Sequence, residues 1–144
     1  MPGWVSEGYH EYAQRMGSDC RVELIEIELP KRSKNSDIAR LKLQEAELIS
    51  AHIKQDRIVA LDVLGAAWST EQLAKELCRW QQDGRDVALL IGGPDGLADN
   101  LLQRAEQKWS LSALTLPHPL VRIVVAEALY RANSVNLNHP YHRA

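Results

Sequence analysis

Hydrophobic positions in this chain switch between two spacings, and the switches mark out its elements. Residues 4–16 (WVSEGYHEYAQRM) read as a polar-rich helix. Residues 21–27 (RVELIEI) alternate apolar and acidic positions, which predicts a strand with one wet face. Pro30 ends that strand, and residues 31–36 (KRSKNS) form a basic polar loop. Ser36 is placed to cap the next helix, with Asp37 in its first turn. Ile38, Leu41, Leu48 and Ile49 give this helix an apolar side that runs to about Ile53. Residues 57–62 (RIVALD) and 86–91 (DVALLI) are short apolar runs, the mark of parallel strands buried on both faces. Between them, Ser69 or Thr70 caps a helix whose Leu73, Leu77 and Trp80 form one stripe, and Gly84 stops it. Residues 97–107 read as helix, and 109–116 (WSLSALTL) as a strand running into Pro117-His118-Pro119. Residues 120–133 read as a helix that is apolar on most sides.

This alternation predicts an α/β fold, a mostly parallel sheet with helices on both faces. Ligands in such folds lie at the carboxyl ends of the strands. Those ends are Leu61-Asp62, Gly92-Gly93 and residues 114–116. At 144 residues, the chain is read as one domain, 1–144. A composition of 45% hydrophobic and 25% charged residues is that of an ordinary globular protein and excludes a disordered one. No apolar run approaches the roughly 18 residues of a spanning helix. Met1-Pro2-Gly3-Trp4 has no basic-then-apolar leader pattern. Cys20 and Cys78 lack metal-type spacing and read as free thiols of a reducing cytoplasm. The formal charge of −2 argues against binding nucleic acid by bulk electrostatics.

Four stretches carry candidate chemistry. Ile91-Gly92-Gly93-Pro94-Asp95-Gly96 follows a buried strand and makes a tight turn that a ligand can approach closely. It is neither a dinucleotide fingerprint nor a P-loop, and a plain strand-to-helix turn is the alternative. Residues 110–119 (SLSALTLPHP) offer small and apolar residues with free backbone groups, which suits an adenine, or simply a buried strand end. His118, between two prolines, is either a stiffly held site residue or a surface histidine. The tail His139-Pro140-Tyr141-His142-Arg143 is a poor metal site, because Pro140 breaks helical spacing. It can stack on a base and pair with a phosphate, or it can be a frayed terminus. Lys31, Arg32 and Lys34 form either a solvated loop or a local phosphate contact. No hydrolase motif is present.

The blocks Arg85-Asp86-Val87, Leu89 through Gly96, Trp109 through Arg122, Ala126-Glu127, Leu129 through Ala132 and Asn138 through Arg143 resemble the RlmH family. These are bacterial large-subunit ribosomal RNA methyltransferases of the SPOUT superfamily. Glu23 through Ile27, Lys31-Arg32, Lys34-Asn35 and Arg57-Ile58-Val59 extend the resemblance over nearly the whole chain.

The resemblance implies a C-terminal third threaded into a trefoil knot, which periodicity cannot show. It implies a homodimer with active sites at the interface. The implied reaction moves a methyl group from S-adenosylmethionine to N3 of a pseudouridine in 23S rRNA, within the assembled ribosome. The family's cofactor contacts fall on Leu61, Gly92, Leu111, Ser112, Ala113, Leu114, Thr115 and Leu116. The tail residues Tyr141, His142 and Arg143 take catalytic roles. Arg122 and His118 face the substrate, and Lys31 and Arg32 are further RNA contacts. The alternative is a knotted dimer that binds RNA or ribosomes without turnover. No metal and no membrane is implied. One departure stands out. The family begins with a short apolar strand before the segment matching Met1 through Trp4, and this sequence does not contain it. Unpaired backbone and an apolar groove are expected in its place.

Overall fold

The structure is a computed structural model that describes residues 2–28, 37–93 and 95–143. Its elements are α1 (Gly3–Ala13), α2 (Ile38–Ser50), β1 (Arg57–Ala66), α3 (Thr70–Asp83), β2 (Val87–Leu90), α4 (Asp99–Arg104), β3 (Gln107–Trp109) and α5 (His118–Asn136). The three strands are parallel in the order β2-β1-β3.

Strand β1 shows why this sheet needs cover on both sides. Ile58 and Ala60 face one cluster, with Ile49 of α2, Leu90 of β2, Leu101 of α4 and the loop residues Ile53 and Leu97. Val59 faces the other, with Leu73, Leu77, Trp80, Trp109 and Leu129 from α3, β3 and α5. Successive side chains point to opposite faces, so an unbroken apolar run feeds two cores. The expected α/β architecture with helices on both faces is therefore present. Helix α1 packs outside α5. Gly8 lies against Ile123 and Arg15 over the Tyr130 ring, the same offset twice, so the two helices run parallel.

Helix ends follow local chemistry. The Ser69 hydroxyl accepts from the Gln72 N–H at 3.1 Å, and the Gln72 side chain accepts from the Ser69 N–H at 2.8 Å. This capping box starts α3, and Gly84, at φ 80°, ends it. Ser69→Ala is expected to lower stability by about 1 kcal/mol, read as a small drop in thermal midpoint.

Three expectations are corrected. Asp37, not Ser36, caps α2, its carboxylate accepting from the Arg40 N–H at 3.3 Å. Ser36 lies outside the described residues. Residues 110–116 are irregular, because β3 ends at Trp109. The Ser110 hydroxyl then bonds to the Ser112 carbonyl, and the Leu114 N–H to the Ser112 hydroxyl. Side chains here take backbone partners that a ladder would need. Residues 21–27 join no ladder. Their half-buried Val22, Leu24 and Ile27 do point inward, so the alternation was real. What is missing is a neighbour. A cleft of about 970 Å³ separates this extended segment from the free edge of β2, lined by Val22, Leu24 and Ile27 on one side and residues 87–91 on the other. Ile49, Ile53, Leu77 and Trp80 also line it.

Cys20 and Cys78 are free thiols. Burial and the neighbouring Asp19 push the Cys20 thiol up to about 11, which keeps it protonated and unreactive. Among the described residues, no helix is long and apolar enough to cross a membrane.

Candidate active site

Three loops leave the carboxyl ends of the three parallel strands. After Leu61, β1 bulges before re-pairing, so that Leu61 and Ala66 both face Trp109. Val63 and Leu64 project from the bulge, Leu64 at 92% exposure. The Ser110 N–H donates to the Ala66 carbonyl at 2.9 Å, which ties this loop to the one after β3. After β2 comes the glycine turn. Gly93 and Gly96 form an antiparallel bridge, and the Gly96 N–H donates to the Gly93 carbonyl at 3.0 Å. A Cβ on Gly92 would sit 2.6 Å from the Gly96 carbonyl carbon and 2.8 Å from the Leu97 nitrogen. That position admits only glycine without moving backbone. The third loop holds Leu111, Ser112 and Leu116 half-buried and Ala113, Leu114 and Thr115 exposed.

These loops carry every residue expected to contact a cofactor, and they lie where parallel sheets place ligands. The donor set fits an adenosyl group: a glycine turn without side chains, an irregular stretch offering backbone groups, and apolar Leu61, Leu111 and Leu116. The large cleft along β2 is a different feature. It touches Gly92, Gly93, His118 and Arg122 at its margin and none of residues 111–116.

His118 opens α5, and Arg122 follows one turn later. Burial and the Arg122 charge lower the His118 pKa, so its ring is neutral at pH 7. Arg122, with a side chain 14% exposed, pairs with Glu26 at 3.0 Å. Its guanidinium is therefore engaged with the extended segment. Lys31 and Arg32 lie outside the described residues.

The tail is not frayed. Beyond Asn138, at φ 56°, it folds back along α5. The Tyr141 hydroxyl donates to Glu127 Oε1 at 3.1 Å, and the Tyr141 ring lies under the Arg131 guanidinium at 4.7 Å. Arg131 pairs with Glu127 at 2.7 Å. Arg131 Nη1 also lies 3.1 Å from His142 Nδ1, and His142 Nε2 lies 3.2 Å from Glu71 Oε1. A guanidinium only donates. Nδ1 must therefore supply a lone pair, and the ring proton sits on Nε2, facing Glu71. In this arrangement the Nδ1 lone pair is engaged by Arg131. Arg143 is exposed beside it. His139 accepts from the Tyr141 N–H and leans on Tyr130, so the two tail histidines have separate tasks.

One chain does not bring these groups together. The tail meets α5 from Glu127 onward, about 14 Å along the axis from His118 at 1.5 Å per residue. The partners that fix it were not singled out from the sequence as site residues. Glu127 and Arg131 are legible only as an i, i+4 helix pair. Glu71 shows no signal, because its role depends on a contact 71 residues away.

A family model described as "Predicted SPOUT methyltransferase" matches residues 1–142. The chain is also similar to a protein of Hahella chejuensis called "Ribosomal RNA large subunit methyltransferase H". The two are 56% identical over 144 residues, covering 99% of this chain and 92% of the relative.

Proposed function

The chain belongs to the SPOUT methyltransferase family, and from that premise we propose that it methylates N3 of a pseudouridine in 23S rRNA of the assembled ribosome. S-Adenosylmethionine is the proposed donor, and the working unit is a homodimer in the cytoplasm with a knotted C-terminal third. The observation that carries the reading is the gathering of three loops at the strand ends of a chain matched by the family almost from end to end.

The donor, when bound, supplies an activated methyl group on a sulfonium. Gly92 and residues 111–116 would hold it, with Leu61 beside them. No metal or covalent nucleophile is then required. What remains for the protein is in-line positioning and loss of the imide proton. The His142 lone pair is taken by Arg131, which favours an orienting role over that of proton acceptor. Tyr141 presents a ring for stacking, and exposed Arg143 a cation for a phosphate or the developing anion. Arg122 reaches RNA by exchanging Glu26 for a phosphate, with neutral His118 beside it.

Two observations support the dimer. The tail and the start of α5 are separated within one chain, so a second copy can supply the tail to the strand-end loops. Trp4, Leu120 and Val124 are also exposed at 55%, 39% and 36%. The parallel register of α1 and α5 sets Trp4 level with Leu120, giving an apolar strip of the kind that self-association covers.

The test is transfer of labelled methyl from S-adenosylmethionine to intact ribosomes and to free rRNA. Ribosomes are expected to be labelled and free rRNA not. His142→Ala is expected to lower the rate roughly 100-fold. Unchanged labelling with His142→Ala removes that residue's role. A folded dimer that binds ribosomes but labels neither substrate identifies the non-catalytic binding module instead.

A further inference from the structure

Helix α2 buries a carboxylate that none of the chemistry above uses. Glu45 is 7% exposed, beside Ala46 and one turn before Ile49, both in the core. A carboxylate removed from water needs a compensating partner. The partner here is the backbone of the glycine turn: the Gly93 N–H donates to Glu45 Oε1 at 3.4 Å. Burial raises the Glu45 pKa, and Asp95 of the turn adds to the rise. The Gly93 N–H and Lys42 of α2 oppose it.

Gly92, Gly93 and Gly96 carry no side chains, and Gly96 sits at φ 79°. The downstream end of the turn is fixed, because Leu97 and Ala98 pack on Ala46 and Ile49 of α2. Its upstream end continues β2. Between them, among the described residues, the Glu45 side chain reaches the turn backbone from another element. Any sideways shift of Gly93 would move Gly92, which has no spare room against Gly96 and Leu97.

The geometry points to Glu45 as a positioning residue for the cofactor turn, acting through the Gly93 N–H on the backbone of Gly92. This inference rests on the proposed S-adenosylmethionine site, so its test has one arm that needs no ligand. Hydrogen exchange of residues 91–97 is compared in wild type, Glu45→Gln and Glu45→Ala. Alanine is expected to speed exchange of the turn about tenfold, the loss of one hydrogen bond, with residues 58–61 unchanged. Glutamine keeps an acceptor oxygen and is expected to restore most of the protection. Where alanine lowers the thermal midpoint too far, Glu45→Leu keeps the buried volume and replaces it.

The second arm measures dissociation constants for S-adenosylmethionine and for the thioether product S-adenosylhomocysteine. Both are expected to weaken about tenfold in the alanine variant, with KM for the donor raised, kcat at saturation unchanged, and glutamine rescuing. Turn exchange that does not respond to alanine overturns the inference. So does weakening confined to the sulfonium, which would assign Glu45 a direct charge role. So does failure of glutamine to rescue. A wild type that binds neither compound refutes the proposed function, while the exchange arm still decides whether Glu45 holds the turn.

Discussion

Gly92→Ala is expected to cost at least tenfold in affinity for S-adenosylmethionine while the chain still folds. The added methyl would lie 2.6 Å from one backbone carbon and 2.8 Å from a backbone nitrogen. Neither is a flexible side-chain end, so the turn must open. Displacing a ligand-holding backbone by a few tenths of an ångström weakens several contacts at once, and about 1.4 kcal/mol of loss is already tenfold. Leu97, Ala98 and Leu101 anchor the downstream end of the turn in the core. Calorimetric titration reads the affinity, and circular dichroism confirms the fold. Wild-type affinity in the alanine variant would show that the cofactor does not lie against this turn.

The largest stability effect is expected at Trp109. Its side chain is 3% exposed and stacks on Trp68, with ring centres 5.6 Å apart and planes 24° from parallel. Trp68 in turn meets Trp80 at 6.2 Å. The Trp80 indole N–H donates to Gln107 Oε1 at 2.8 Å, and Gln107 donates to Glu76 Oε2 at 2.9 Å. Removing Trp109 therefore opens a cavity at the joint of β1, β3 and α3. Trp109→Ala is expected to cost about 3–5 kcal/mol. For a chain of this size, that is a fall of roughly 10 °C in thermal midpoint. A fall of under about 3 °C would mean that the aromatic cluster is not a structural joint. Trp109→Phe, which keeps the stack, is expected to lose much less. The 110–116 loop starts at this tryptophan, so the alanine variant is also expected to bind the donor poorly.

Where sequence reading succeeded, the cause was local. The apolar runs at 57–62 and 86–91 are strands because parallel strands bury both faces, and nothing distant changes that. Helix α3 was legible to within one residue at its start, where Ser69 rather than Thr70 forms the cap with Gln72. The glycine turn was legible because three glycines after a buried strand have few other uses.

Where it failed, the cause was a partner elsewhere in the chain. Residues 21–27 have strand alternation, yet a strand exists only when another edge supplies its hydrogen bonds. The cleft beside β2 leaves that edge out of reach. Residues 109–116 look like one strand, but Ser110 and Ser112 turn their hydroxyls onto local backbone and end it at Trp109. The residues of the tail left open whether it is a base-and-phosphate contact or a frayed terminus. Its order comes from Glu127, Arg131 and Glu71, brought to it by α5 and α3.

By itself, then, the sequence determined the α/β class, the places where the strands end, and the resemblance to a methyltransferase family. These depend on spacing and on residue type, which the chain carries in linear order. Tertiary structure alone decided the partners of His142, the burial of Glu45 against Gly93, the Arg122–Glu26 pair and the cleft beside β2. Each is set by groups far apart in the chain, and only packing determines which donor meets which acceptor.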